Sequence, residues 1–254
     1  GLLSGTVTAS LARPLSLPRF RALWIASVFS NVGGFFQSVA AAWLMLELTG
    51  SPVWVSAMAA STTLPLLFLS LPSGALADLA NRRNVLLATQ FTMLASVLGM
   101  TGFALADAIT PPLLLAFGLL LGVGTAFNAP VWMAMVPDLV PREMLADAVA
   151  LNAVSFNAAR AVGPALGGIV VAVAGPGIAF AINAATYTGV IAVVLSFKAA
   201  DWQPQEAAPM SQAIVAGVRY VRFSPELLWL LGLAAGFALT SASLLVLLPN
   251  VTQA

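Results

Sequence analysis

The sequence predicts an all-α membrane protein with seven spanning helices, and three observations carry that prediction. The 254 residues are 60% hydrophobic and only 7% charged, where a soluble domain carries about a quarter charged residues. With a mean hydropathy of +0.99, the chain has too little charge to cover a surface facing water, so its natural solvent is lipid. The few charges also divide the chain into apolar windows of about 20 residues or more, the length a helix needs to cross the hydrocarbon. Between the windows fall Gly- and Pro-containing breakers.

The windows run over residues 22–46, 48–77, 84–106, 108–137, 148–174, 178–197 and 227–251, the fifth interrupted by Arg160. Turns are expected at Thr49-Gly50-Ser51-Pro52, Pro111-Pro112, Gly175-Pro176-Gly177 and Ser224-Pro225-Glu226. The last reads as an N-cap, a proline at the first helical position and an acid in the first turn. Ahead of the first window, "LSLPRFRAL" (15–23) reads as a short interfacial lead-in. "MSQAIVAGVRYVRF" (210–223) sets Ile214, Val215, Val218 and Val221 at helical spacing beside Arg219 and Arg222, the pattern of a helix lying on a membrane surface. "KAADWQPQEAAP" (198–209) is a polar, Pro-bearing linker. The organisation is thus 1–19 as an N-terminal segment, 20–197 as a six-helix domain, 198–225 as linker and surface helix, and 226–254 as a seventh span opening an incomplete second domain.

Charge gives the sidedness. Arg13, Arg19, Arg21, Arg82, Arg83, Arg142, Lys198, Arg219 and Arg222 fall in loops on one side; the tenth basic residue, Arg160, lies inside a helix. The other side carries only Glu47 and Asp107. By the positive-inside rule the basic loops and the N-terminus are cytoplasmic, in a plasma (inner) membrane. The first 18 residues lack an apolar run followed by a cleavage site, so no signal peptide is expected. A chain that starts on Gly and stops just past its seventh span reads as part of something longer.

Composition also excludes. There is no histidine and no cysteine, which removes disulfides, Cys- or His-ligated metals, Cys nucleophiles and His-based acid–base chemistry. No acidic pair sits inside an apolar run, so neither metal nor cofactor nor enzyme activity is expected. A formal net charge of +1 argues against a nucleic-acid partner, because phosphate binding needs clustered Lys and Arg.

The stretch "SGALADLANRRNVLLATQ" (73–90) ties Asp78, Arg82 and Arg83 together between two apolar runs. Arg82 and Arg83 alone would orient the flanking helices; Asp78 is not explained that way, since acids add little to the orientation rule. "GALADLANRR" (74–83) resembles the signature loop between helices two and three of the major facilitator superfamily. Gly74, Leu76, Asp78, Arg82 and Arg83 match the pattern. Leu79 stands where a further basic residue is usual, and Asn81 where glycine is usual, a mild change if the turn is left-handed. "WLMLELTGSPVWV" (43–55), "PDLVPREMLADAVALN" (137–152) and "GVRYVRFSPELL" (217–228) resemble loops of the drug- and siderophore-exporter branch. "GPALGG" (163–168) is similar to the helix-five motif associated with antiporters. Departures are Gly118, where an Arg usually precedes Gly122 by one turn, and Ala159, four before Gly163.

The resemblance implies the N-terminal six-helix domain of such a transporter, two inverted three-helix repeats around a midplane cavity, plus its seventh helix. It implies export of small amphipathic molecules by alternating access, coupled to proton antiport, with a small-molecule substrate, protons, membrane lipid and the missing C-terminal half as partners. Gly74, Asp78, Arg82 and Arg83 would form a conformational latch that caps helix ends and contacts the opposite half. Gly163, Pro164, Gly167 and Gly168 would form a helix-five bend, whether for packing or for sealing the cavity.

Candidates for the cavity come from polar residues at depth. Arg160 lies about 20 Å along its helix from Asp147, too deep to reach the cytoplasm easily. Such a cation needs water or a partner, with Asn157 nearby on the same face. Asn31 and Ser38, seven apart and so on one face, and Asn128 complete the set, with hydrogen bonding between helices as the alternative role. A coupling carboxylate would have to be Glu47, Asp107 or a group of the missing half. Two other readings stay open: a non-transporting truncated module that assembles with or regulates a partner, and an uptake symporter.

Overall fold

The structure is a computed structural model that describes residues 12–197 together with Phe223, Ser224, Trp229 and Leu233; of Asp78 and Leu79 it describes the backbone alone. The chain divides into two compact units, Gly1–Ala207 and Ala208–Ala254. In the second, Phe223, Trp229 and Leu233 are helical. The rest of the expected surface helix and seventh span lies outside the described residues.

The first unit contains six helices long and apolar enough to cross a membrane: α1 (Pro18–Thr49), α2 (Pro52–Leu79), α3 (Arg82–Leu105), α4 (Pro111–Leu139), α5 (Leu145–Ala174) and α6 (Pro176–Leu195). At 20 to 32 residues each, they measure about 30 to 48 Å. No strand occurs among the described residues. Single 3-10 turns, Arg13–Ser16 and Arg142–Met144, precede α1 and α5. Residues 18–23, read from the sequence as a lead-in, are instead the first turns of α1. Phe20 there is buried with Val136, Val140 and Ala148, and this packing draws the segment into the helix.

Turn chemistry explains most of the helix ends. Gly50 takes φ +62° and donates its N–H to the Leu46 carbonyl, so α1 ends on a left-handed glycine. Pro18, Pro52, Pro111 and Pro176 open their helices, where a missing N–H costs nothing. The turn from α2 to α3 differs from expectation. Asn81 has φ −62° and not a left-handed conformation; its Oδ1 accepts the Asn84 N–H at 3.2 Å. Asn is favoured there as an N-cap, replacing a free N–H partner at the start of α3.

Helix pairing follows the repeat. The principal neighbours are α1 with α5 and α6, α4 with α2 and α3, and α3 with α6. Exchanging α1–α3 for α4–α6 maps this set onto itself, so the domain is two interlocked three-helix repeats. In lipid, helices associate through close packing and not through hydrophobic exclusion, and glycines supply the close approach. A Cβ on Gly122 of α4 would lie 2.7 Å from the Thr62 carbonyl oxygen of α2, and one on Gly163 of α5 would lie 2.6 Å from Phe35 Cβ of α1. Buried polar groups join the same seams: Asn183 Nδ2 donates to Gln37 Oε1 at 3.3 Å, and both residues are nearly fully buried.

Candidate functional site

Between α1, α3, α4, α5 and α6 lies a cavity of about 430 Å³. It occupies the end of the bundle that carries Arg21, Arg82, Arg83 and Arg142. None of its lining residues is more than about 20 Å along its helix from that end. From α1 come Ser27, Ser30 and Asn31; from α3, Gln90; from α4, Asn128, Trp132 and Met133; from α5, Val149, Asn152, Ala153 and Phe156; from α6, Val190. The lining is therefore amide and hydroxyl groups set against aromatic and aliphatic surface, with no charged side chain.

Hydrogen bonds fix several of these groups. Gln90 Nε2 donates to Asn128 Oδ1 at 3.0 Å. The Thr89 hydroxyl stands 3.3 Å from the same oxygen, but its single proton is better placed for the Leu86 carbonyl at 2.8 Å. Gln90 is only 2% exposed, and its Oε1 has no hydrogen-bond partner. Asn31 Nδ2 reaches Ser155 Oγ at 3.4 Å, and Trp24 Nε1 donates to the Leu151 carbonyl at 3.3 Å, together tying α1 to α5 along the cavity wall. Phe156 is held in a tilted ring contact with Phe35, centroids 6.0 Å apart.

Of the five cavity candidates, Asn31 and Asn128 line the cavity and Ser38, Asn157 and Arg160 do not. Ser38 is exposed, about two turns beyond Asn31, and its hydroxyl returns to the Gly34 carbonyl at 3.0 Å. Asn157 is also exposed and donates to Ala153 of its own helix at 2.8 Å; it does not partner Arg160. Among the described residues Arg160 has no hydrogen bond or ion pair, and it is exposed. It shares its helix face with Val149, Ala153 and Phe156, one turn beyond the cavity. Gly163 and Gly167 pack on Phe35 and Phe36, whereas Pro164 is exposed and Gly168 is half-buried with open space where a Cβ would stand. The helix runs continuously through Pro164, whose missing N–H leaves the Arg160 carbonyl without its helical donor.

At the basic end the two arginines of the signature turn are bound inside this bundle. Arg82 Nη1 lies 2.9 Å from each carboxylate oxygen of Asp138 and 3.0 Å from the Ala134 carbonyl, all on α4. Arg83 donates through Nε to the Val194 carbonyl and through Nη2 to that of Leu195, each at 3.2 Å. These are terminal carbonyls of α6, the negative end of a helix dipole. Arg82 and Arg83 thus cap the ends of α4 and α6, which end beside them. The Asp78 side chain lies outside the described residues; Gly74 is open, with nothing within 4 Å of a Cβ placed there. Sequence reasoning missed Asp138, Gln90, Trp132 and the cavity role of Asn152. For Asp138 a signal existed: an acid at a helix end does not set orientation and so needs another reason.

Two interlocked three-helix repeats that cross the membrane around a polar cleft, with a basic turn after the second helix, define an integral membrane protein of the major facilitator superfamily. Residues 8–254 match the family described as transmembrane secretion effector, and the chain belongs to it. It is 27% identical over 240 residues to the enterobactin exporter EntS of Shigella boydii serotype 4 (strain Sb227), covering 93% of this chain and 56% of that protein. The enterobactin exporter EntS of Escherichia coli O1:K1 / APEC matches with the same identity and coverage. It is 26% identical over 211 residues to the multidrug efflux pump Tap of Mycolicibacterium fortuitum, covering 80% of this chain and 52% of that protein. The chain spans about half the length of the curated relatives it matches. This family comprises transporters of the drug and siderophore exporter branch, not enzymes.

Proposed function

We propose that this chain is the N-terminal half of an exporter of small amphipathic molecules that works by alternating access and is driven by proton antiport. The observation that carries the reading is the 430 Å³ cavity, lined by neutral amides together with the rings of Trp132 and Phe156. That mixture suits molecules with both polar and apolar parts. The positive-inside rule puts the basic end, and so the cavity, toward the cytoplasm, where an exporter loads. Relatives named as an enterobactin exporter and a multidrug efflux pump favour outward transport over uptake.

The open glycines and exposed polar groups fit the same reading. Gly34 and Ser38 on α1, and Arg160, Pro164 and Gly168 on α5, form small or polar stripes that leave space for a second half. Asp78 and Gly74 would meet that half, while Arg82 and Arg83 brace the turn that presents them. Opening would break those contacts and shift a two-state equilibrium. For the proton, Glu47 and Asp107 stand far from the cavity, so a coupling carboxylate would come from the other half.

The test is dye uptake into inverted vesicles containing the protein translated from its complete reading frame. N-phenyl-1-naphthylamine should accumulate under an imposed proton gradient, slow several-fold in Asn128→Ala, and stop when an ionophore collapses the gradient. Transport indifferent to the ionophore would remove the antiport assignment. Transport indifferent to both Asn31→Ala and Asn128→Ala would remove the cavity.

A further inference from the structure

We infer that the site selects amphipathic organic anions, such as planar carboxylates, with Arg160 as the group that meets the negative charge. The inference rests on the cavity reading above and adds the sign of the substrate's charge. Two exposed stripes on α5 place Arg160. Val154, Val162, Leu166, Ile169 and Val173 are exposed large apolar side chains at helical spacing, which is a lipid-facing stripe. Arg160 lies well over 90° around the helix from that stripe's centre, on the side of Ala153 and Phe156. Its backbone therefore stands about 6 Å along the helix beyond Phe156, on the face that continues from the cavity wall and away from the lipid-facing stripe, within reach of a ligand that extends past Phe156.

The electrostatics of the rest of the bundle point the same way. Every acid in 12–197 lies at or beyond a helix end: Glu47, Asp78, Asp107, Asp138, Glu143 and Asp147. A cationic ligand would find no acidic side chain lining the cavity, and would meet Arg160 as a repulsive group. An anion would find a charge-assisted donor at one end and aromatic surface from Phe156 and Trp132 for its body. A cation at membrane depth without a partner is costly, so a ligand carboxylate supplies what the described residues do not.

The experiment is equilibrium binding of three tritiated probes of one shape, 2-naphthoate, 2-naphthamide and 2-naphthylmethylammonium, to the full-length protein in nanodiscs, with empty nanodiscs subtracted. Naphthoate should bind about tenfold more tightly than naphthamide, the scale of a hydrogen bond to a charged group, and the ammonium most weakly. Arg160→Gln should bring naphthoate to the naphthamide level without moving naphthamide, and Arg160→Lys should keep part of the preference. Trp132→Ala should weaken all three. Equal affinities in the unaltered protein, or a naphthoate preference that survives Arg160→Gln, would overturn the anion assignment. The cavity reading would still stand if Trp132→Ala weakened naphthamide. Absence of binding by every probe, or binding indifferent to Trp132→Ala, would remove both. If Arg160→Gln fails to fold, the preference in the unaltered protein and in Arg160→Lys decides.

Discussion

Arg82 on α3 and Asp138 on α4 are 56 residues apart in sequence, yet one guanidinium nitrogen bridges both carboxylate oxygens at 2.9 Å. The same nitrogen also reaches the Ala134 carbonyl. The pair is open to water, 23% and 44% exposed, so its Coulomb energy is screened. A double-mutant cycle of Arg82→Gln and Asp138→Asn should give a coupling of about 0.2–1 kcal/mol that shrinks in high salt. Detergent unfolding measures it; a coupling several times larger would mean the pair is sealed from solvent.

Glycine substitutions should separate by neighbour. In Gly122→Ala the new Cβ meets the Thr62 carbonyl oxygen at 2.7 Å and the Ser61 carbonyl oxygen at 3.0 Å. Backbone cannot swing aside, so α2 and α4 must part, at a cost of about 1–3 kcal/mol. Gly189→Ala has nothing within 4 Å and should be neutral or stabilising by up to about 1 kcal/mol. Thermal unfolding of the two variants side by side checks the contrast; equal effects would refute the packing account.

Gln90 should trade stability against transport. Its buried Oε1 lacks a partner, so Gln90→Leu removes an unsatisfied group along with the bond to Asn128. Unfolding free energy should stay within about 1 kcal/mol of the original or rise, while dye transport falls. A variant that loses stability and transport together would show that Gln90 serves the scaffold.

Orientation can be read by thiol labelling, because the chain has no cysteine of its own. Gly50 and Gly175 are unsuitable, since their φ values of +62° and +82° strain any other residue. Val53→Cys and Ala108→Cys, both exposed, should react with an impermeant reagent in intact cells, and Asn84→Cys and Glu143→Cys only after permeabilisation. Labelling of Asn84→Cys from outside would invert the topology.

The six spans were legible because lipid imposes one rule, a run of apolar residues cut by charge and by Gly or Pro. Helix ends moved by a few residues where packing extended them, as at Phe20, or where a cap intervened, as at Asn81. The cavity was half legible. Asn31 and Asn128 stand out as polar groups in apolar runs, but so do Ser38 and Asn157, and sequence cannot say which turn faces a void. Gln90 went unweighed because its neighbours are polar too. Asp138 carried a signal, an acid at a helix end that orientation does not explain, but its partner Arg82 follows only from α4 ending beside α3.

The interlocking of the repeats has a consequence for biogenesis. α1 is the least apolar of the six spans and enters the membrane before the other five, yet the partners of Asn31 and Trp24 lie 124 and 127 residues downstream. Gln37, whose Nε2 meets Met100 Sδ 63 residues on, has its Oε1 matched only by Asn183, 146 residues on. At about 5–20 residues per second of synthesis, those side chains wait roughly 6 to 30 seconds in the bilayer with amides and an indole N–H unmatched. Until α5 and α6 arrive, the first helix is the one most in need of a holding partner in the insertion machinery, and the point at which quality control can intercept the nascent chain.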